Sequence, residues 1–165
     1  MEKGLSNVYI YSVLKNKLNV RSFDDVYSAD NVPEKLLKQK RKRQKSCVVN
    51  LSKAGDKGTH FIVLSIEADA ITIYDSLSLP LKQFSPSLYN ALKKSGKSIK
   101  RAIKKPIQNM DSSFCGFYCI YFVLSLARDQ FPSRDDVLKF VNQPAYVNDK
   151  IVMDNIYGII KNNNV

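Results

Sequence analysis

Hydrophobic and polar positions change period several times along this chain, and each change marks an element. Ser6 reads as the cap of a helix running to about Leu18, with Val8, Tyr11, Leu14 and Leu18 on one face and Asn19 as its stop. The stretch from Val20 to Pro33 reads as loop. Cys47 to Leu51 is a short apolar run with strand character. Lys53 to Thr59 (KAGDKGT) carries turn chemistry. Phe61 to Ile66 and Ala70 to Tyr74 are rich in β-branched and aromatic residues, and Glu67-Ala68-Asp69 between them has hairpin length. Pro86 opens a helix that Gly96 closes. Ser98 to Ile103 alternates as a strand does. Cys115 to Arg128 is apolar all round, the mark of a buried helix. Ser133 and Asp136 form a capping box for a helix ending near Asn142, and Asn148 reads as the cap of a last helix reaching Lys161.

A helix, then strands, then mostly helices, with no linker between them, predicts one α+β domain over residues 1–165. Its core is a mostly antiparallel sheet flanked by helices. Composition agrees. The chain has 165 residues, 44% hydrophobic and 25% charged, which excludes a wholly disordered protein. No apolar run approaches the roughly 18 residues that a membrane span needs, and the N-terminal segment lacks a signal-peptide core, so secretion is not expected. Three cysteines without framework spacing point to a reducing compartment.

Charge changes the picture. The net charge is +11, and fourteen of the 26 basic residues lie in two runs without a single acid, Lys35 to Lys45 and Lys93 to Lys105. The rest of the chain holds 12 basic against 15 acidic residues. Such patches attract polyanions through counterion release. The expected contacts to DNA are Lys40, Arg41, Lys42, Arg43 and Lys45 in the first run, and Lys97, Lys100, Arg101, Lys104 and Lys105 in the second. Neither run interleaves aromatics, so backbone contact without sequence readout is expected.

The candidate chemistry starts from a scarcity. There is one histidine, so any imidazole mechanism must use His60, which stands between the turn and an apolar strand. Cys115 sits where the polar loop Ser112-Ser113 gives way to the apolar helix. A helix N-terminus stabilises thiolate and offers N–H groups to a developing oxyanion. Cys119 and Cys47 read as small core residues. Asp75 follows the second strand of the expected hairpin, and an antiparallel pairing brings it beside His60. Gln108, seven residues before Cys115, could donate a side-chain N–H to the oxyanion.

The order His60, Asp75, Gln108, Cys115 resembles the adenovirus-type (adenain-like) maturation cysteine proteases, relatives of the proteases that process ubiquitin-like modifiers. QNMDSSFC followed by Gly116 is similar to that family's glutamine-to-cysteine spacing, GTHF resembles its G-x-H-W, and IYDSLSLPL resembles its Y-F-D-S-F-G-L-P. Asn50 and the phrase FDDVYSADNVP also look like the compact enzymes of viruses, virophages and related mobile elements. The resemblance spans roughly residues 23–126. Phe61 departs from it by standing where tryptophan usually follows the histidine. The resemblance implies a papain-like arrangement with the nucleophile at the start of a buried helix. It implies a viral endopeptidase that cleaves capsid or core precursors, located in the virion and at the intracellular site of assembly. No cofactor is implied for the chemistry itself, and DNA or a short viral peptide is implied as an activator. By this resemblance Cys115 attacks, His60 moves the proton, Asp75 orients His60, and Gln108 helps form the oxyanion hole.

Three other readings stay open on the sequence. The same chemistry could release a ubiquitin-like modifier. The basic runs alone could make a non-catalytic nucleic-acid-binding domain. His60 with Cys47, Cys115 and Cys119 could hold zinc, against the usual close pairing of zinc ligands. A Cys115–Cys119 disulfide is disfavoured, because residues four apart on a helix meet poorly for that bond.

Overall fold

A computed structural model describes residues 4–40, 42–55, 58–127 and 133–162. Five strands form one sheet whose spatial order follows the chain: β1 (Phe23–Ser28), β2 (Lys45–Asn50), β3 (Phe61–Ile66), β4 (Ala70–Tyr74) and β5 (Ser98–Arg101). The three central strands are antiparallel, with Asn50 opposite Phe61 and Val63 opposite Tyr74. Both outer pairings, β1 with β2 and β4 with β5, are parallel. The expected antiparallel character therefore holds for the centre and not for the edges. A parallel pairing needs a crossover. Helix α2 (Glu34–Leu37) interrupts the first, and helices α3 (Leu81–Phe84) and α4 (Pro86–Lys94) make the second.

Helices cover both faces. Along the central strands, neighbouring residues enter different cores, as a two-residue period requires. Val48, Phe61 and Val63 join the core beneath α1 (Asn7–Tyr11), α5 (Cys115–Leu126), α6 (Arg134–Lys139) and α7 (Ala145–Asn162). Cys47, Val49, Ile62 and Leu64 join the core beneath α2 and α4. Every residue of β3 is buried. So is every residue of α5 after Cys115, which fits its all-round apolar sequence.

Local signals read from the sequence reappear as geometry. The Ser6 hydroxyl accepts the Tyr9 N–H at 3.2 Å. The helix then widens into a π-helical stretch, Ser12–Lys17, before Asn19 turns the chain at φ 46°. Pro86 occupies the first turn of α4, and Gly96 takes φ 73° after it. The Ser133–Asp136 capping box is present in both directions.

Three expectations need correction. Residues 23–28 are not loop but β1. Its aspartates look wrong for a strand, yet this is an edge strand, where charge is tolerated. Asp24 accepts the Tyr27 hydroxyl at 2.7 Å and Asp25 accepts the Val26 N–H at 2.7 Å. Asn148 does not cap α7. The helix starts at Ala145, and Asn148 is buried inside it, its amide donating to the Ile107 and Phe140 carbonyls at 2.9 and 3.0 Å. Helices α2 and α3, one turn each, were not anticipated. The turn at Asp56-Lys57, the helix end at Arg128 and the basic residue Arg41 lie outside the described residues. Among the described residues, no helix is long and apolar enough to cross a membrane.

Candidate active site

Because β3 and β4 are antiparallel, the residue before one strand and the residue after the other meet at the same end of the sheet. His60 and Asp75 are those residues. Nε2 of His60 lies 2.7 Å from Oδ1 of Asp75, and both side chains are buried.

The Asp75 carboxylate organises its own loop. Oδ1 also accepts the Leu77 N–H at 3.0 Å, and Oδ2 accepts the Leu79 N–H at 2.7 Å. An aspartate that captures backbone donors two and four residues ahead is a turn former, so IYDSLSLP folds around its own acid. Ser78, where the resembled motif has glycine, takes φ 52°, and its hydroxyl donates to the Ile103 carbonyl at 3.2 Å. Nη2 of Arg101 lies 3.6 Å from Asp75 Oδ2. Two N–H groups, an imidazole and a guanidinium thus surround this carboxylate.

His60 faces Cys115 as well as Asp75. With Nε2 on the carboxylate, Nδ1 is the nitrogen left for the thiol. Burial by itself disfavours the imidazolium, but hydrogen bonds to Asp75 and to Cys115 outweigh it and push the His60 pKa up to about 9. Cys115 is the first residue of α5 and is half-buried. Cys47 and Cys119 are buried, and burial pushes both thiols up, away from thiolate. One cysteine of three combines access with an imidazole partner.

The start of α5 is held closely. A Cβ on Gly116 would lie 2.9 Å from Leu5 Cβ, so glycine here lets the N-terminal segment pack directly behind Cys115. A Cβ on Gly4 would meet the Ser113 carbonyl at 2.9 Å.

Gln108 is buried behind the same loop. Its Oε1 accepts the Ser76 hydroxyl at 2.6 Å, while Nε2 donates to the Ser112 carbonyl at 3.0 Å and to the Ser112 hydroxyl at 3.2 Å. A carbonyl oxygen only accepts, so the Ser112 contact fixes which end of the amide is nitrogen. The Ile107 and Gln108 N–H groups both donate to the Ser76 carbonyl, at 2.8 and 3.1 Å. Gln108 therefore ties the Asp75 turn to the loop that delivers Cys115.

Sequence reasoning missed a second tier. Tyr118 donates its hydroxyl to Oδ1 of Asp149 (2.9 Å) and lies 3.1 Å from the Ile107 carbonyl. Asp149 also accepts the Asn109 N–H at 3.4 Å. Asn148 and Asp149 thus clamp residues 107–109 on both sides of Gln108. Burial and then Asp149 raise the Tyr118 pKa, keeping it a donor. A signal was there to be read: Asn148, Val152, Ile156 and Ile160 fall four apart, on one buried stripe of α7.

Against His60 lies an apolar cavity of about 260 Å³, walled by Leu51, Leu77, Leu79, Phe84 and Met110. It is large enough for an apolar side chain.

The basic residues part company. Lys40, Lys42, Arg43, Lys100, Lys104 and Lys105 are exposed. Lys97 and Arg101, expected as DNA contacts, are committed elsewhere. Nζ of Lys97 donates to the Gln39 and Glu67 carbonyls, both at 2.6 Å, and burial lowers its pKa. Arg101 turns to Asp75. Lys45 donates to the Arg21 carbonyl at 3.3 Å. Among the described residues, no group of three or more histidine, cysteine or carboxylate side chains is placed to hold a metal ion. No protein-family model matches the chain, and no curated protein matches it.

Proposed function

We propose that the protein is a cysteine endopeptidase of the adenain-like type, acting on virion precursor proteins. One observation carries the reading. A single buried imidazole is hydrogen-bonded to a carboxylate at 2.7 Å and lies beside a half-buried thiol that opens a helix. A merely structural histidine would have no need of a reachable thiol on its other side.

In this mechanism His60 takes the Cys115 proton, and the thiolate attacks the scissile carbonyl. The tetrahedral oxyanion collects N–H donors at the start of α5, with Gln108 Nε2 as the side-chain donor once one of its hydrogens leaves the Ser112 hydroxyl. The C–N bond breaks as imidazolium protonates the leaving amine, leaving a thioester on Cys115. Water then attacks the thioester with His60 as base, which frees the carboxylic acid and restores the thiol. Asp75 holds the ring and stabilises imidazolium. The cavity beside His60 accepts an apolar side chain of the peptide. DNA on the exposed lysines would concentrate enzyme and substrate on one polyanion.

The test is the alkylation rate of Cys115 at pH 6, with N-acetylcysteine as reference. A free thiol of pKa about 8.5 is almost wholly protonated there, so an ion pair raises the rate by about 10². His60→Ala should abolish that gain, together with hydrolysis of a peptide library. If Cys115 in the intact protein reacts no faster than N-acetylcysteine, the proposal fails. Cleavage of ubiquitin-like fusions but not of extended peptides would redirect it to modifier release.

A further inference from the structure

On the face of the sheet away from α5, a groove of about 390 Å³ lies between α3, α4 and the outer strands. It is separate from the cavity beside His60. Ile73, Leu81, Tyr89, Leu92 and Ile99 supply apolar walls, and Lys82, Lys93 and Arg101 supply the charge. Among the described residues, no acid lines it. A cavity of this size with apolar walls and a few convergent polar groups is the usual form of a small-molecule site. One lining side chain, Arg101, also reaches the site beside His60. Nη2 of Arg101 is buried and makes no hydrogen bond, only the 3.6 Å approach to Asp75. A guanidinium has five N–H donors and a fork that matches a carboxylate. Nη2 is directed to Asp75, but the Arg101 side chain is one-third exposed, so its other donors can meet a second anion in the groove.

We propose that this groove binds a small amphiphile with one carboxylate head and an apolar body, the head on Arg101 and the tail between α4 and β5. The formal charge on the described lining is all positive, so an anionic head is favoured over a cationic or neutral one. The apolar lining favours an alkyl body over a sugar or a nucleotide. Arg101 touches both this groove and Asp75, so occupancy is transmitted to His60 through one side chain. That second step rests on the catalytic reading above. Binding itself does not.

The probe is decanoate, titrated against the intact chain and followed by tyrosine fluorescence, since Tyr89 lines the groove and the protein has no tryptophan. Decanoate should bind saturably, and decyltrimethylammonium and decanol at least tenfold more weakly. Ile99→Glu and Lys93→Glu alter exposed positions and should each weaken decanoate at least fivefold. Equal binding of the cationic probe, or unchanged affinity in both variants, would overturn the site. Saturating decanoate should also change the Cys115 alkylation rate at pH 6 at least twofold in the wild type and not in Ile99→Glu. Selective binding with an unchanged alkylation rate would overturn the link through Arg101 and leave the site standing. Slow alkylation with and without decanoate would count against the catalytic reading alone.

Discussion

The two ends of the sheet use polar residues in opposite ways. At the end where β2 gives way to β3, His60, Asp75, Ser76 and Gln108 are all buried and bonded to one another or to backbone. At the other end, about 17 Å away at ~3.3 Å per strand residue, Lys40, Lys42 and Arg43 stand exposed before β2. The first end fixes atoms, because a buried polar group without a partner is costly and each partner therefore has a single place to be. The second end fixes little beyond the sign of the field. Lys97 ties the two basic runs together by reaching the Gln39 carbonyl, and is consumed as a structural donor. Substitutions at the first end should therefore act in steps and depend on geometry. Those at the second should act gradually and depend on salt.

The largest effect tests the first end at its most ambiguous residue. Gln108 ties Ser76 to Ser112 and, in the proposed mechanism, is also the side-chain donor to an oxyanion. Gln108→Ala should lower peptide hydrolysis by ~10²–10³, the usual cost of one oxyanion donor. Alkylation of Cys115 forms no oxyanion, so its rate should stay within about threefold of wild type. Equal losses in both assays would make Gln108 a loop anchor only, and a hydrolysis loss under threefold would remove it from the mechanism.

Next comes the tier behind it. Tyr118→Phe keeps the ring and deletes the hydroxyl, so buried Asp149 Oδ1 loses a donor while the Ile107 carbonyl keeps the Asn148 amide. The expected loss of stability is about 1–3 kcal/mol. If residues 107–109 hold Gln108 in place, kcat should fall while KM changes little. A stable variant with unchanged kcat would confine this network to the core.

The pH dependence of stability follows from His60. Its pKa is about 9 when folded and 6.5 in an ordinary setting. The stabilisation is then fully present below about pH 6.5 and is lost as pH rises through about 9. The stability read from urea midpoints should fall by ~2 kcal/mol between pH 7 and pH 9.5. His60→Asn should flatten that slope. An unchanged slope would mean that Asp75 and Cys115 do not hold the ring as charged.

Much of this was legible in the sequence, for a physical reason. Period and capping are local properties, so the hairpin, the buried helix after Cys115, Pro86 in the first turn of α4 and the Ser133 box could all be read. The hairpin then made His60 and Asp75 neighbours by antiparallel geometry alone. What stayed hidden depends on distant partners. β1 is a strand because β2 offers it a parallel edge, and its aspartates argue otherwise in isolation. Asn148 looks like a cap until α7 is seen to begin three residues earlier. Arg101 belongs to a basic run by composition and to Asp75 by its place at the end of β5. Charge counts cannot tell a solvated lysine from one spent on a carbonyl, as Lys97 shows.

The smallest effect on catalysis is expected at the exposed end. Changing Lys40, Lys42 and Arg43 together to glutamine removes three charges that stand exposed. Peptide hydrolysis without DNA should be unchanged. DNA affinity should fall, and the slope of log affinity against log salt should become shallower by roughly 0.9 for each phosphate no longer neutralised. Sequence preference should not change, since backbone contacts carry none. Lys97→Gln makes the contrast, because it unties the Gln39 and Glu67 carbonyls and should lower stability more than it alters the salt slope. If the triple variant keeps the wild-type slope, the first basic run is a solvated surface and DNA contact must be sought at Lys100, Lys104 and Lys105. If hydrolysis without DNA falls as well, the two ends of the sheet are coupled, and the separation drawn between them fails.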